Sequence, residues 1–417
     1  MRNWTIFIYL AAHNNLDAYA RRSIEQVWDL GSTDQIKIVT LIDTPDGAKI
    51  YDHKDPKTYF AGKPPDQHFD SGDPKQLIKY ATHAFQAYPA EHYGLILWSH
   101  GTGWMPHDLR DISPRERKMR SANSTVPALF RSTLETMMSE PTVSKRAICF
   151  DDGSQHSIDT VELEKVVTEI TTAISTPDNP RKLDLLGMDA CLMASIEVAY
   201  QLRQQVDYMV ASEELVPATS WPYSKIVSDL HARPNISPKE LSTLIVTEYS
   251  NYHKKFPPKA GDVTKCAIEL AGMDALKLVV RDLAKVLIAN MPEHRQTLWK
   301  AQKITQYKEV NTNAGERRIH KFKYQLWDLR SVAQALTQLT QNEQLKQAAE
   351  AVVKSFDNNP SLAVLKNIHH GIWFDEIGGL SVYLPPPNIS RISRYYGRVA
   401  FANDALWDKM ISRYQTL

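Results

Sequence analysis

Cysteine is scarce in this chain: Cys149, Cys191 and Cys266 are the only three in 417 residues. They are odd in number and far apart, which excludes a disulfide framework and a CxxC metal site. That usage points to a reduced, cytoplasmic protein. Long apolar runs are missing as well, and none is long enough to cross a bilayer. The opening MRNWTIFIYLAAHNNLD holds an apolar run of only about eight residues and no clear small-residue cleavage site. It reads as a first buried strand rather than a signal peptide. No charge sign dominates, because Lys and Arg number 49 against 48 Asp and Glu, a formal net charge of +1. This argues against nucleic acid or an anionic membrane as a partner. GxSxG, Walker and GxGxxG motifs are absent, and so are internal repeats. His53, His68 and the pair His369-His370 lack metal-ligand spacing with Cys or carboxylates. No metal site is expected.

What is present is a patterned core. Hydrophobic residues make up 43% of the chain, enough for two or three average domains or one large elaborated one. The first half alternates strand and helix signals. Strands are expected over 4–11, 36–43, 93–101, 146–152, 183–189 and 207–214. Helices are expected over 16–31, 74–89, 159–171 and 191–205. Asp159 and Glu162 form a capping-box pair at the third of these helices. Such alternation implies a mainly parallel sheet covered by helices, an α/β fold. From about 238 to 360 the pattern turns helical, and GGLSVYLP (378–385) is a late strand. The expected organisation is a core over 1–235 and a mostly helical region over 236–417 whose late strand rejoins the core. An insertion at 105–146 interrupts the core with little periodicity.

In open parallel sheets, reactive groups gather beyond the carboxyl ends of the strands. One strand here ends in Ser99-His100-Gly101 and another in Asp189-Ala190-Cys191. In one parallel sheet, His100 and Cys191 would face each other at that edge. A Cys/His pair is the minimum apparatus for nucleophilic acyl transfer, with imidazole taking the thiol proton. Gly101, having no side chain, lets the main chain approach a substrate, so its N–H can join that of Cys191 in an oxyanion hole. Each signal also has a plainer reading. A strand-end His is commonly structural, and a lone Cys in apolar surroundings is commonly inert core.

The flanking residues add a resemblance. YGLILWSHGTGW (93–104), LLGMDACLMASIEVAYQL (185–202) and VASEELVPATSWPY (210–223) together resemble the clostripain-like cysteine peptidases. WTIFIYLAAHNNLD, GLSVYLPPP and YYGRVAFANDALWDKMISRY look like segments of the same family and fall in its order. The resemblance implies a caspase-like α/β fold with a largely helical C-terminal addition. It places His100 and Cys191 on the family's catalytic pair, and it implies protein or peptide substrates. It also implies that Asp189 lines the pocket for the residue before the scissile bond, selecting Arg or Lys by a charge-assisted contact. An Asp just before a helix is otherwise a common cap. Two positions depart from the family pattern: Thr219 and His13-Asn14 stand where relatives often carry acids. Asn14 and Thr219 are therefore expected at the pocket without its charge, while Glu213 and Glu214 are retained.

The insertion 105–146 carries Arg110, Arg115, Arg117, Lys118, Arg120, Lys145 and Arg146. A basic loop is ordinarily a solvated face. Several caspase-like families instead cut a loop near here to mature the enzyme. The expectation is latency until one of these residues is cut, by the chain itself or by an activating protease. The chemistry requires no cofactor. Some relatives respond to calcium, but neither Asp151-Asp152 nor Asp43 with Asp46 sits in a recognisable calcium loop. Two rival readings are a catalytically idle caspase-like scaffold and a serine hydrolase. The intact His-Gly and Asp-Ala-Cys motifs count against the first, and the missing nucleophile elbow against the second.

Overall fold

Apolar residues occupy both faces of the first strand. Phe7, Tyr9 and Ala11 enter one core, while Ile6, Ile8 and Leu10 enter the other. A strand buried on both sides belongs inside a sheet covered by helices, and the computed structural model has that architecture. It describes residues 1–52, 69–104, 148–217, 219–256, 263–305, 325–371, 376–387, 393 and 395–416. The strands are β1 (Arg2–Ala11), β2 (Ile36–Asp43), β3 (Lys49–Tyr51), β4 (Ala90–Trp98), β5 (Ile148–Asp151), β6 (His156–Ile158), β7 (Leu183–Asp189), β8 (Val206–Ala211), β9 (Val263–Glu269), β10 (Leu326–Asp328), β11 (Val364–His370) and β12 (Ser381–Tyr383). Eight of them form the central sheet in the order β11-β9-β8-β7-β4-β1-β2-β3. The five strands β8, β7, β4, β1 and β2 run parallel, and β3, β9 and β11 pair antiparallel at the flanks.

One face of the sheet is covered by α1 (Asp17–Trp28) and by two later helices, α5 (Tyr223–Ala232) and α6 (Pro238–Lys255). On the other face lie α2 (Pro74–Ala87), α3 (Thr160–Ile174), α4 (Ile196–Leu202) and α7 (Met273–Ala289). Residues of the helices that follow α7 belong to this second core too. The capping box at α3 forms as its sequence implies, with Asp159 accepting from the Glu162 amide.

Three expected elements differ. The helix expected from Cys191 starts only at Ile196, with Ser195 as its cap. Between them Leu192 takes a left-handed φ of 65°, so the chain turns sharply before it coils. The strand expected at 146–152 is β5, which pairs with β6 in a separate ribbon. The late strand at 378–385 narrows to β12 and pairs with β10 rather than joining the central sheet; it meets the core through a bridge from Ser381 to Ser195 and hydrogen bonds to Ala194 and Glu197. The strands beyond residue 235 that join the central sheet are β9 and β11.

Glu197 in α4 ties this ribbon to the core. It accepts from the Tyr383 amide at 2.8 Å and from the Tyr396 hydroxyl at 3.0 Å. Burial raises its carboxyl to about 7 against these hydrogen bonds. The folded state therefore binds a proton that the unfolded chain releases near its ordinary value, and stability falls as pH rises from about 4.5 to 7. Glu197→Gln should remove that slope. Melting curves at pH 5 and pH 8 should converge in the variant, where the wild type loses on the order of 3 kcal/mol. Equal slopes in the two proteins would refute this assignment.

Candidate active site

β4 and β7 lie side by side in parallel, with Trp98 opposite Asp189. Each chain then runs on to the next two residues, His100 on one side and Cys191 on the other. The register thus sets both at the same height beyond the carboxyl edge of the sheet. The exit of β4 is pinned by Ser99, whose hydroxyl donates to the Ala11 carbonyl at 3.0 Å and accepts from the Phe150 amide at 3.1 Å. Gly101 follows, and a Cβ built there would overlap the Cys191 carbonyl oxygen and lie 3.0 Å from the Ala190 Cβ. Only glycine lets these two strand exits touch.

His100 is buried, and its Nε2 lies 2.7 Å from Asn15 Oδ1. An amide oxygen only accepts, so Nε2 is the ring nitrogen that donates to it. The ring stands edge-on to Phe150. Cys191 is 6% exposed. Its sulfur accepts from the Val216 amide at 3.2 Å. Burial pushes the thiol up to about 12, with the Val216 amide and the charge of Lys265 pulling the other way. All three thiols are unpaired. Both thiols donate to a carbonyl, Cys266 to Gly379 at 2.9 Å and Cys191 to Val216 at 4.0 Å, but Cys191 also has the Val216 N–H aimed at it, a contact that favours a thiolate.

The Asp189 carboxylate is buried on the face that carries Trp221. Its Oδ2 accepts from the Ser220 hydroxyl, from the Trp221 amide at 3.1 Å and from the Tyr223 hydroxyl at 3.0 Å. Its Oδ1 has no hydrogen-bond partner among the described residues. Burial raises this carboxyl, opposed first by the charge of Lys265. Lys265 is itself buried, in β9, and burial lowers its ammonium to about 8 against the attraction of Asp189.

A family model described as the clostripain family matches residues 8–118 and 135–414. The chain belongs to the clostripain family. Clostripain from Hathewaya histolytica is 28% identical to this family member over 169 residues, 39% of this chain and 25% of that protein. The match therefore spans a quarter of that relative's length. Two solved structures share the fold. One is a secreted cysteine protease from Bacteroides thetaiotaomicron in complex with an irreversible peptide inhibitor. It is 20% identical, with 98% of this chain and 100% of that chain covered and a TM-score of 0.63. The other is an inactive zymogen protease from Parabacteroides distasonis, 19% identical, covering 97% and 98% with a TM-score of 0.60. The expected caspase-like α/β fold is the fold of this clostripain-family chain.

Within this family member the other expected pocket residues scatter. Asn14 is buried and committed to the main chain, donating to Ala11 and Phe150 carbonyls and accepting from the Leu16 amide. It braces the exit of β1 and leaves its neighbour Asn15 to meet His100. Thr219 is exposed in a turn. Glu213 and Glu214 line a small cleft with Thr264, Leu326, Asp328, Ile377 and Ser381, a set that shares no member with the hydrogen-bond partners of Asp189. The basic residues from Arg110 to Arg146 lie outside the described residues. Sequence reasoning missed Asn15, Val216 and Lys265. The doubled Asn14-Asn15 after a buried strand was the one available signal; a valine amide and a lysine within a strand carry none.

His13, Asp43 and Asp151 bring ligand atoms within 4.8 Å of one another. However, both Asp151 oxygens are already occupied: Oδ1 by the Gly153 and Ser154 amides, Oδ2 by the Ser71 amide and hydroxyl. A cation there would have to displace donors that already fill the carboxylate's acceptor sites.

Proposed function

We propose that this chain is a cysteine endopeptidase in which Cys191 is the nucleophile and His100 its general base. The observation that carries the reading is the β4–β7 register, which puts both groups at one height on the sheet edge. His100 Nδ1 takes the thiol proton, and the thiolate attacks the carbonyl carbon of the scissile bond. The resulting oxyanion falls to the N–H groups of Gly101 and Cys191. The imidazolium then protonates the departing amine, and a water deprotonated by His100 releases the thioester. Asn15 acts as a positioning residue that keeps the ring in the tautomer this sequence needs.

The same site is at rest as described. A nearly buried, neutral thiol held by Val216 is a poor nucleophile, which supports latency. The Parabacteroides relative being an inactive zymogen supports it too. Cutting among Arg110–Arg120 or at Lys145-Arg146, by the chain itself or by a partner protease, is the activation we favour. The three unpaired thiols support a reducing compartment such as the cytoplasm. Among the described residues no helix is long and apolar enough to cross a membrane. A preference for Arg or Lys, the second reading of the pocket, is favoured by the unbonded Oδ1 of Asp189.

Incubation of wild-type and Cys191→Ala protein side by side tests activity and activation together. Self-cutting predicts two fragments from the wild type and one intact chain from the variant. Activation by a partner predicts that both stay intact until it is added. An irreversible peptide ketone should then label the wild type alone. Failure to label under any of these conditions would favour the idle scaffold, and labelling of a serine would favour the hydrolase.

A further inference from the structure

The His100 ring sits between two segments of chain. Asn15, just past β1, holds its Nε2, and Phe150, in β5, meets it edge-on. These segments are joined to each other at His13. The His13 carbonyl accepts from the Asp152 amide at 2.8 Å. Its ring lies against Gly153, where an added Cβ would fall 2.5 Å from Cε1. Its Nδ1 is 3.5 Å from Asp151 Oδ1 and 3.9 Å from Asp43 Oδ2. Asp43 ends β2 and Asp151 ends β5, so one imidazole reaches both neighbours of the β1 exit.

The two carboxylates are 1% and 2% exposed. Among the described residues no Lys, Arg or other His comes within 4.0 Å of either. Asp151 accepts from three amides and a hydroxyl, so it has no hydrogen to offer Asp43. Asp43 Oδ2 has no hydrogen-bond partner among the described residues. Burial pushes the Asp43 carboxyl up to about 7, opposed by hydrogen bonding from Ser71 and helped by the charge of Asp151. The other ionisable groups around the pair are Tyr9, Asp70, Cys149 and His156. The Tyr9 hydroxyl donates to the Ser71 carbonyl, His156 pairs with Asp70 instead, and burial pushes the Cys149 thiol up. None of them brings a positive charge to Asp43 and Asp151. Two buried carboxylates on either side of one ring nitrogen favour a cation there. An imidazolium is that cation, and the His13 side chain, 31% exposed, can exchange its proton with water.

We infer that His13 is a positioning residue for His100: as an imidazolium it bridges Asp43 and Asp151 and clamps together the two segments that hold the His100 ring. The clamp weakens on the alkaline side, where the last proton shared by the three groups leaves and two bare carboxylates face each other. The inference rests on the peptidase reading of Cys191 and His100. It adds a residue that acts through His100 and not on the substrate.

The test is kcat and KM of the full-length chain on fluorogenic peptides ending in Arg, Gln or Glu, at about pH 6.5 and about pH 9. The chain is assayed intact and after limited trypsin treatment, with the trypsin then removed. A base displaced by a fraction of an ångström slows proton transfer and leaves substrate contacts alone. His13→Gln should therefore lower kcat by about tenfold or more near pH 6.5, with KM within about twofold of wild type. Near pH 9, where the wild type has lost its own clamp, the gap should narrow to about threefold or less. Adding Asp43→Asn removes the carboxylate left without a cation, and it should recover about threefold or more of the lost kcat. A His13→Gln kcat within about twofold of wild type at both pH values overturns the inference and leaves the peptidase reading standing. An equal loss at both pH values that Asp43→Asn does not relieve also overturns it, because the ring would then serve packing alone. If His13→Gln does not fold, Asp43→Asn alone decides: its kcat relative to wild type should rise with pH, and a flat ratio overturns the clamp. A wild type that turns over none of the peptides, intact or cut, overturns both readings.

Discussion

Cys191→Ala yields a folded protein with no measurable peptide hydrolysis, and His100→Ala falls to the same floor. These are the largest effects we expect. Removing one member of a nucleophile–base unit costs on the order of 10⁴ to 10⁶ in turnover, because the other member has nothing left to act on. The double variant should therefore be no worse than either single one. Losing a sulfur from a tightly packed edge costs little stability, about 1 kcal/mol, so melting temperature separates lost chemistry from lost structure. A Cys191→Ala protein that kept substantial turnover at an unchanged melting point would end the assignment. So would a double variant far below both singles.

Gly101→Ala is the second large effect. The new methyl would occupy the space of the Cys191 carbonyl oxygen and press on Ala190. Two neighbouring strand exits must then separate, and the amides of Gly101 and Cys191 lose the spacing an oxyanion needs. Loss of one such donor costs about 10² to 10³ in turnover, and forcing a methyl into a packed site costs about 1 to 3 kcal/mol. Activity should thus fall by far more than stability alone explains, measured as kcat on protein shown to be folded by its melting curve. A variant with both wild-type kcat and wild-type melting would mean that the two exits are not in contact.

Several strands of the central sheet were readable because their patterns are local. Ile36–Asp43 and Leu183–Asp189 fall where an apolar run and its polar end put them. The alternation of strand and helix was enough to give the parallel sheet. What escaped depends on partners remote in sequence. The start of α4 slipped from Cys191 to Ile196 because a left-handed turn at Leu192 leaves no mark in periodicity. β9 was hidden inside a region that reads as helical. Its lysine argues for a solvent face, yet Trp221 and Tyr249 enclose it. Asn14 was expected at the pocket, but it is Asn15 that reaches His100. Side chains of adjacent residues diverge, and sequence does not say which one a distant histidine meets.

β9 closes the flank of β8 along Tyr208–Ala211, and β11 in turn closes β9. A fragment ending at residue 235 would keep both halves of the proposed dyad but leave β8 as a bare edge, its amide and carbonyl groups open to any passing strand. Exposed edges of this kind template edge-to-edge aggregation. The later part of the chain is thus no detachable appendage. Any minimal version of this protein must carry β9 and β11 along, and exchanging that portion between relatives means rebuilding a sheet boundary rather than swapping a module.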